Sequence, residues 1–216
     1  GLAITIKEPV ERVVAEYLDN ADMMQILKKT DAVVGVDLAV AKSPAEFPEL
    51  SKKTNVGAMY KDPDYEKLLS LKPDVLLTFS NATAEKQKNL PGVSVLFAGL
   101  YYPDLLNPDE SAFTDGVHKL GYIMNARPEA ENYIQWHIDT INKIKSLTEK
   151  IPAGEKPSVL VAAYPDADKK TLYTFAKIDT LSNMVSLAGG ETVAADLPDF
   201  LKSAYRFEVD PEWVIQ

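Results

Sequence analysis

Residues 62–82, "DPDYEKLLSLKPDVLLTFSNA", decide the fold class of this chain, because they place a helix start, a helix and a strand in succession. Asp62-Pro63 supplies an N-cap oxygen followed by the residue that best suits the first helical position, so we expect a helix to begin there. Pro73 ends that helix, and the apolar run at 75–79 predicts a buried strand directly after it.

Apolar runs elsewhere in the chain extend this pattern. Residues 13–15, 33–36, 93–97 and 158–163 are short and apolar, as the strands of a buried parallel sheet are. Helical stretches lie between them, and strands that alternate with helices indicate parallel βαβ units. The sequence therefore predicts an α/β fold.

The longest predicted helix separates two such regions. It begins near Pro128, its apolar residues recur every three or four positions as far as Leu147, and Pro152 follows its end. About 22 residues would make a helix about 33 Å long. We therefore predict two α/β lobes with parallel sheets joined by one long helix. The predicted boundaries are 1–125 for the N-terminal lobe, 126–152 for the linking helix and 153–216 for the C-terminal lobe.

Composition narrows the possible functions. Hydrophobic residues make up 46% of the 216 positions and charged residues 25%, which is ordinary for a soluble globular protein. The net charge of −9 argues against binding to nucleic acid and suits a partner that presents arginines or lysines. The chain contains no cysteine, which excludes disulfides, thiolate metal sites and cysteine nucleophiles.

Motifs typical of enzymes and of metal sites are missing from the sequence. It has no Walker loop, no G-x-G-x-x-G and no G-x-S-x-G. Its two histidines, His118 and His137, fall in predicted helices without the i, i+4 spacing of a zinc helix. We therefore expect a protein that is not an enzyme and that has no metal site of its own.

Candidate ligand contacts follow from the predicted strands. In open parallel sheets, ligands bind beyond the carboxyl ends of the strands. Polar or aromatic residues follow most of the apolar runs, and a tyrosine can pack and hydrogen-bond at once. The candidates are Tyr60, Ser80, Asn81, Tyr101, Tyr102 and Tyr164, with Tyr205 and Arg206 from the second lobe.

Five segments resemble segments of a known protein family, and they follow one another in that family's order along nearly the whole chain. They are "RVVAEY", "AVVGVD", "DYEKLLSLKPDVLLTFS", "KLGYIMNARPEAENYIQWH" and "MVSLAGGETVAADLP". The family is that of the class III (cluster A-II type) substrate-binding proteins of ABC importers, which carry ferric siderophores, haem or cobalamin. The resemblance implies two Rossmann-like lobes bridged by one long rigid helix, with the ligand held in the cleft between them.

The function that this resemblance implies is that of an extracytoplasmic receptor. It would capture an iron complex (a siderophore or haem) or cobalamin and deliver this metal chelate to the permease subunits of an importer. We expect a monomer without a resident cofactor. Two alternatives stay open, a chelatase-like or metallocluster-assembly enzyme and an interaction or sensor domain without a ligand. The enzyme would need a histidine and an acid at the cleft.

The resemblance also implies that one glutamate on each lobe docks onto arginines of the permease. Glu66 in "YEKLLSLKPD" and Glu212 in "PEWVIQ" match those positions. Exposed acids in the first turn of a helix are locally favourable, and a pair of them fixes orientation as well as position. Counted from the preceding Asp-Pro, however, Asp64 rather than Glu66 is the counterpart of Glu212.

Family members usually continue after the second glutamate through another Pro-Asp and a strand to a terminal helix. The present sequence reaches Gln216 without them. We therefore expect the second lobe to be incomplete.

Overall fold

The computed structural model describes residues 4–6, 9–100, 103–163 and 171–215. The chain divides into two compact units. The first comprises Gly1–Pro103 and Asp109–Trp136, and the second comprises Asp104–Pro108 and His137–Gln216. The predicted boundaries at 125/126 and 152/153 stay a prediction.

The first unit alternates strands and helices, as the sequence predicts. Its described elements are β1 (Val13–Ala15), α1 (Tyr17–Ile26), β2 (Val33–Val36), α2 (Leu38–Ala41), β3 (Thr54–Asn55), β4 (Gly57–Ala58), β5 (Asp62–Pro63), α3 (Tyr65–Ser70), β6 (Val75–Thr78), α4 (Thr83–Asn89), β7 (Ser94–Phe97) and α5 (Ala112–Ile123).

Five of these strands form one parallel sheet in the order β3-β2-β1-β6-β7. At its centre, β1 pairs with β6 so that Val13 lies opposite Val75 and Ala15 opposite Leu77. All four residues of β6 are buried, as the strand predicted at 75–79 requires. The predicted α/β class is confirmed.

The predicted helix start at Asp62-Pro63 is wrong. These two residues form β5, which pairs antiparallel with β4. Helix α3 begins at Tyr65, and its N-cap is Asp64, whose Oδ1 accepts a 2.9 Å hydrogen bond from the Lys67 N–H. The hairpin requires Gly57, which has φ +90° and on which a Cβ would lie 2.7 Å from the Asp62 carbonyl oxygen. Pairing with a strand earlier in the chain therefore overrides the local helix signal.

Helix α6 (Arg127–Thr148) has the 22 residues that the sequence predicts, and the division between the two units falls within it. The second unit continues with β8 (Ser158–Val159), β9 (Ala162–Ala163), β10 (Leu172–Phe175), α7 (Thr180–Leu187), β11 (Glu191–Thr192), β12 (Arg206–Val209) and α8 (Pro211–Ile215). None of the helices in the described ranges is both long enough and apolar enough to cross a membrane.

The strands of the second unit differ from the prediction in two ways. The strand predicted at 158–163 is split between β8 and β9, which are partly exposed. β8 pairs with β11 in parallel, whereas the sheet β12-β10-β9 is antiparallel. A parallel connection needs a dozen or more residues, and only residues 164–171 separate β9 from β10. The predicted parallel pairing is therefore limited here to β8 and β11.

Candidate functional site

Three strands of the first unit end in buried polar residues at one edge of its sheet. Glu16 follows β1, Asp37 follows β2, and Thr78 is the last residue of β6. Glu16 and Asp37 are 0% exposed, and Thr78 is 1% exposed. Because the strands are parallel, their carboxyl ends lie at the same edge, where ligands bind in sheets of this kind. We call it the carboxyl edge.

Lys86 on α4 ties two of these strand ends together. Its ammonium group donates to both carboxylate oxygens of Glu16, with 2.6 Å to Oε1. It also donates to Thr78 Oγ1 at 2.9 Å. Lys86 is itself 7% exposed, so the ion pair is buried. Its attraction offsets the desolvation of two charges, and loss of either partner would leave the other charge buried and unpaired.

Asp37 closes the same edge at the end of β2. Its Oδ1 accepts from the N–H groups of Ala39 and Val40, at 3.1 and 3.2 Å, and so caps α2. Its Oδ2 is buried and makes no hydrogen bond of normal geometry with any described residue. Burial raises the pKa of the Asp37 carboxyl above 3.8 and the charge of Glu16 acts in the same direction, while backbone N–H groups oppose the shift.

Two aromatic residues come directly after the central strands. Tyr17 follows Glu16, and Phe79 follows Thr78. Their ring centroids are 4.5 Å apart, with the planes inclined by 43°. Both side chains are partly exposed, so the pair lies at the surface of the carboxyl edge. Tyr17 was not among the predicted contacts, although its position two residues beyond the run 13–15 was a usable signal.

Two predicted contacts, Ser80 and Asn81, lie at the carboxyl edge, directly after Phe79. The Ser80 N–H donates to Thr78 Oγ1 at 3.2 Å, and Ser80 Oγ accepts from the Ala82 N–H at 3.1 Å. The Ser80 side chain is partly buried, and that of Asn81 is exposed. The turn that leads into α4 is thus fixed, and it leaves the Asn81 amide facing solvent.

Tyr60 lies in the turn between β4 and β5, the hairpin that follows the carboxyl end of β3. Its side chain is 59% exposed, and the Lys61 ammonium lies 5.4 Å from its ring centroid. Three further predicted contacts, Tyr101, Tyr102 and Tyr164, lie outside the described residues.

The remaining predicted contacts belong to the second unit. Arg206 begins β12, and its guanidinium carbon lies 5.0 Å from the ring centroid of Tyr173 and 5.9 Å from that of Tyr205. The Tyr205 ring meets Phe175 edge-on at 6.2 Å. Both Tyr205 and Arg206 are exposed. The pair therefore forms a cationic and aromatic surface at the start of β12.

The two glutamates predicted to dock occupy equivalent helix positions. Glu66 is the second residue of α3, after the cap Asp64. Glu212 is the second residue of α8, and its own N–H donates to Asp210 Oδ1 at 2.8 Å. Both glutamates are exposed. The structure therefore aligns the two segments by Asp-x-Glu, which makes Glu66 and not Asp64 the structural counterpart of Glu212.

A pocket of about 550 Å³ in the second unit includes none of the predicted contacts among its lining residues. Lys156, Lys177, Ser182, Glu191 and Phe200 are among the residues that line it. Within the described ranges, no three His, Asp or Glu residues are grouped so as to hold a metal ion. His118 is exposed on α5, and His137 lies on α6, where burial lowers its pKa.

Comparison with protein families gives one match. The model of a family described as "Periplasmic binding protein" matches residues 13–216. Comparison with curated proteins gives no significant match.

Solved structures resemble this chain closely in fold. A substrate-binding protein of an ABC transporter from Listeria monocytogenes EGD-e superposes with a TM-score of 0.67 at 21% identity, over 96% of this chain and 71% of that one. A periplasmic heme-binding protein from Roseiflexus sp. RS-1 superposes with a TM-score of 0.69 at 19% identity, over 95% of this chain and 73% of that one. The periplasmic vitamin B12 binding protein of Vibrio cholerae superposes with a TM-score of 0.68 at 16% identity, over 96% of this chain and 73% of that one.

Proposed function

The chain belongs to the periplasmic binding protein family, and from this premise we propose that it is the receptor of an ABC importer for a metal chelate. It captures a ferric siderophore, haem or cobalamin outside the cytoplasm and delivers it to the membrane permease. It is a binding protein and not an enzyme, as its family indicates. The structures that it resembles include proteins whose titles specify heme and vitamin B12 binding.

The observation that carries this proposal is a pair of exposed glutamates, one in each unit, each of which is the second residue of a capped helix. Glu66 and Glu212 are exposed, and neither forms a salt bridge with any residue in the described ranges. The positive end of each helix stabilises a carboxylate at this position. Two such carboxylates on separate units suit a partner that presents two sets of arginines.

The ligand side of the proposal rests on the strand ends. In the first unit, Ser80 and Asn81 supply a hydroxyl and an amide at the carboxyl edge. In the second unit, Tyr205 and Arg206 supply aromatic surface and positive charge. These groups suit a bulky ligand with polar and conjugated parts. Both histidines lie on helices, His118 on α5 and His137 on α6, and not at the strand ends that supply these groups.

Charge reversal tests the docking step. We expect Glu66→Lys and Glu212→Lys each to lower the stimulation of ATP hydrolysis by the transporter in proteoliposomes by about tenfold or more. Each variant places a lysine against the arginines of the permease, so that attraction becomes repulsion. Ligand affinity should stay within about twofold, since both residues bind the partner and not the ligand. The matched control is Glu85→Lys, which reverses another exposed first-turn glutamate, on α4. Equal stimulation by all three variants would refute the docking assignment.

The ligand class is tested by fluorescence, because the chain has only Trp136 and Trp213 as tryptophans. We expect saturable quenching by one of three ligands: a ferric siderophore, haem or cobalamin. Absence of quenching by all three would reject the receptor function.

A further inference from the structure

We propose that Tyr17 and Phe79 form a stacking platform, which makes the carboxyl edge selective for a flat, conjugated ring such as a porphyrin. This inference rests on the proposed function, because it specifies the ligand class for the same site. It follows from the position of the two rings, from the backbone of Tyr17 and from the charges beneath them.

The two rings come from the centre of the sheet. β1 and β6 are neighbours, so the residues that follow them leave the sheet side by side. At a centroid distance of 4.5 Å and an inclination of 43°, the rings of Tyr17 and Phe79 pack against each other as a tilted pair, whose partly exposed side forms an aromatic surface. Aromatic faces attract other π systems in offset or tilted arrangements, with centroids about 4.5–7 Å apart. A flat ring can therefore stack on this surface.

The backbone of Tyr17 indicates that its position is functional. Its φ of 67° lies in the left-handed region, which is unfavourable for an aromatic residue. The other described non-glycine residues with positive φ are Lys28, Lys72 and Asn125, and each lies two positions after a helix end, where this conformation is common. Tyr17 is instead the first residue of α1. Strain of this kind tends to occur at binding sites.

Buried contacts hold this strained residue in place. Glu16 is fixed by Lys86, and the Glu16 N–H donates to the Leu77 carbonyl at 3.0 Å. Asn20 Nδ2 donates to the Glu16 carbonyl at 2.7 Å. The same ammonium group of Lys86 binds Thr78, which precedes Phe79. One buried network therefore positions the starting points of both aromatic side chains.

Charge at the platform favours stacking over ion pairing. The ionisable groups at the strand ends, Glu16, Asp37 and Lys86, are all buried. An ionic chelate without a flat ring would find no exposed charge on these three residues, whereas a porphyrin would gain stacking contacts.

The test measures ring binding without metal ligation. The full chain is titrated with protoporphyrin IX, haem and a ferric trihydroxamate, and binding is followed by protein fluorescence and by porphyrin absorbance. We expect the wild type to bind both porphyrins, and Tyr17→Asn and Phe79→Leu each to weaken protoporphyrin binding by about tenfold.

Thermal stability separates a ligand contact from a structural role. Asparagine tolerates left-handed φ, so Tyr17→Asn relieves the backbone while it removes the ring. We expect its melting temperature to stay level or rise while its affinity falls. Lys72→Asn is the matched control. It also introduces asparagine at a residue with a left-handed backbone, φ 48°, two positions after the end of α3, and it should leave porphyrin affinity unchanged.

The contrary outcomes are distinct. Trihydroxamate binding without porphyrin binding overturns the platform and leaves the receptor function standing. Unchanged porphyrin affinity in both ring variants overturns the platform as well. Absence of binding to all three probes overturns the platform and counts against the receptor function.

Discussion

The two units hold their candidate ligand contacts in different ways. In the first unit, Tyr17 and Phe79 follow central parallel strands whose ends are joined by the buried Lys86. In the second unit, Arg206 lies on the antiparallel strand β12 and contacts the exposed ring of Tyr205 and the partly buried ring of the neighbouring Tyr173. The first arrangement depends on a buried charge network and the second on surface stacking.

This difference shows how strongly each site is coupled to folding. A buried ion pair destabilises the protein severely when one partner is removed, whereas an exposed cation–π contact contributes little. The first unit should therefore tolerate few changes beneath its site. The second unit should tolerate changes of Arg206 that affect only the ligand.

The largest expected effect is that of Lys86→Met, which leaves the Glu16 carboxylate buried without its counter-ion. We expect the free energy of unfolding to fall by about 3–5 kcal/mol in urea denaturation. Arg206→Met, the corresponding change in the second unit, should cost about 1 kcal/mol or less. Equal losses for the two variants would remove the distinction between the units.

An intermediate effect is expected at the helix starts, where the units are alike. Asp64→Ala and Asp210→Ala each remove a cap, and each should lower the free energy of unfolding by about 1 kcal/mol. Asp62→Ala serves as control: Asp62 precedes proline as Asp210 does, but it lies in β5 and caps nothing. Its substitution should change stability by less than about 0.5 kcal/mol. A larger loss at Asp62 than at Asp64 would contradict the observed helix start.

The smallest expected effect is a change in pH dependence. Burial raises the pKa of Asp37 above 3.8, so the folded chain binds more protons there than the unfolded chain. Its contribution to stability therefore falls as pH rises from about 3.8 through the raised pKa. Asp37→Asn should keep the cap of α2. It should also make the free energy of unfolding depend less on pH when unfolding is measured at several pH values.

Asp179, the cap of α7, offers the parallel test in the second unit, because burial raises its pKa too. Asp179→Asn should likewise make the free energy of unfolding depend less on pH. A steeper slope in either variant would contradict the assigned sign.

Local sequence signals predicted several elements correctly. Strand β6 lies within the apolar run at 75–79. Helix α6 follows from its periodicity. Of the predicted contacts, Ser80 and Asn81 lie at the carboxyl edge, and their role stays a prediction, whereas Tyr17 of the proposed platform was not predicted. Its left-handed backbone depends on the sheet around it and leaves no trace in residue type.

The sequence by itself determined the α/β class, the long helix and the family resemblance, because hydrophobic periodicity and short motifs act over a few residues. Only the tertiary structure decided that Glu16 meets Lys86, 70 positions later. It also decided that Asp64 rather than Asp62 caps α3. The physical reason is that parallel pairing brings distant strand ends to one edge. Burial there then fixes which charges must pair, and no local pattern records that choice.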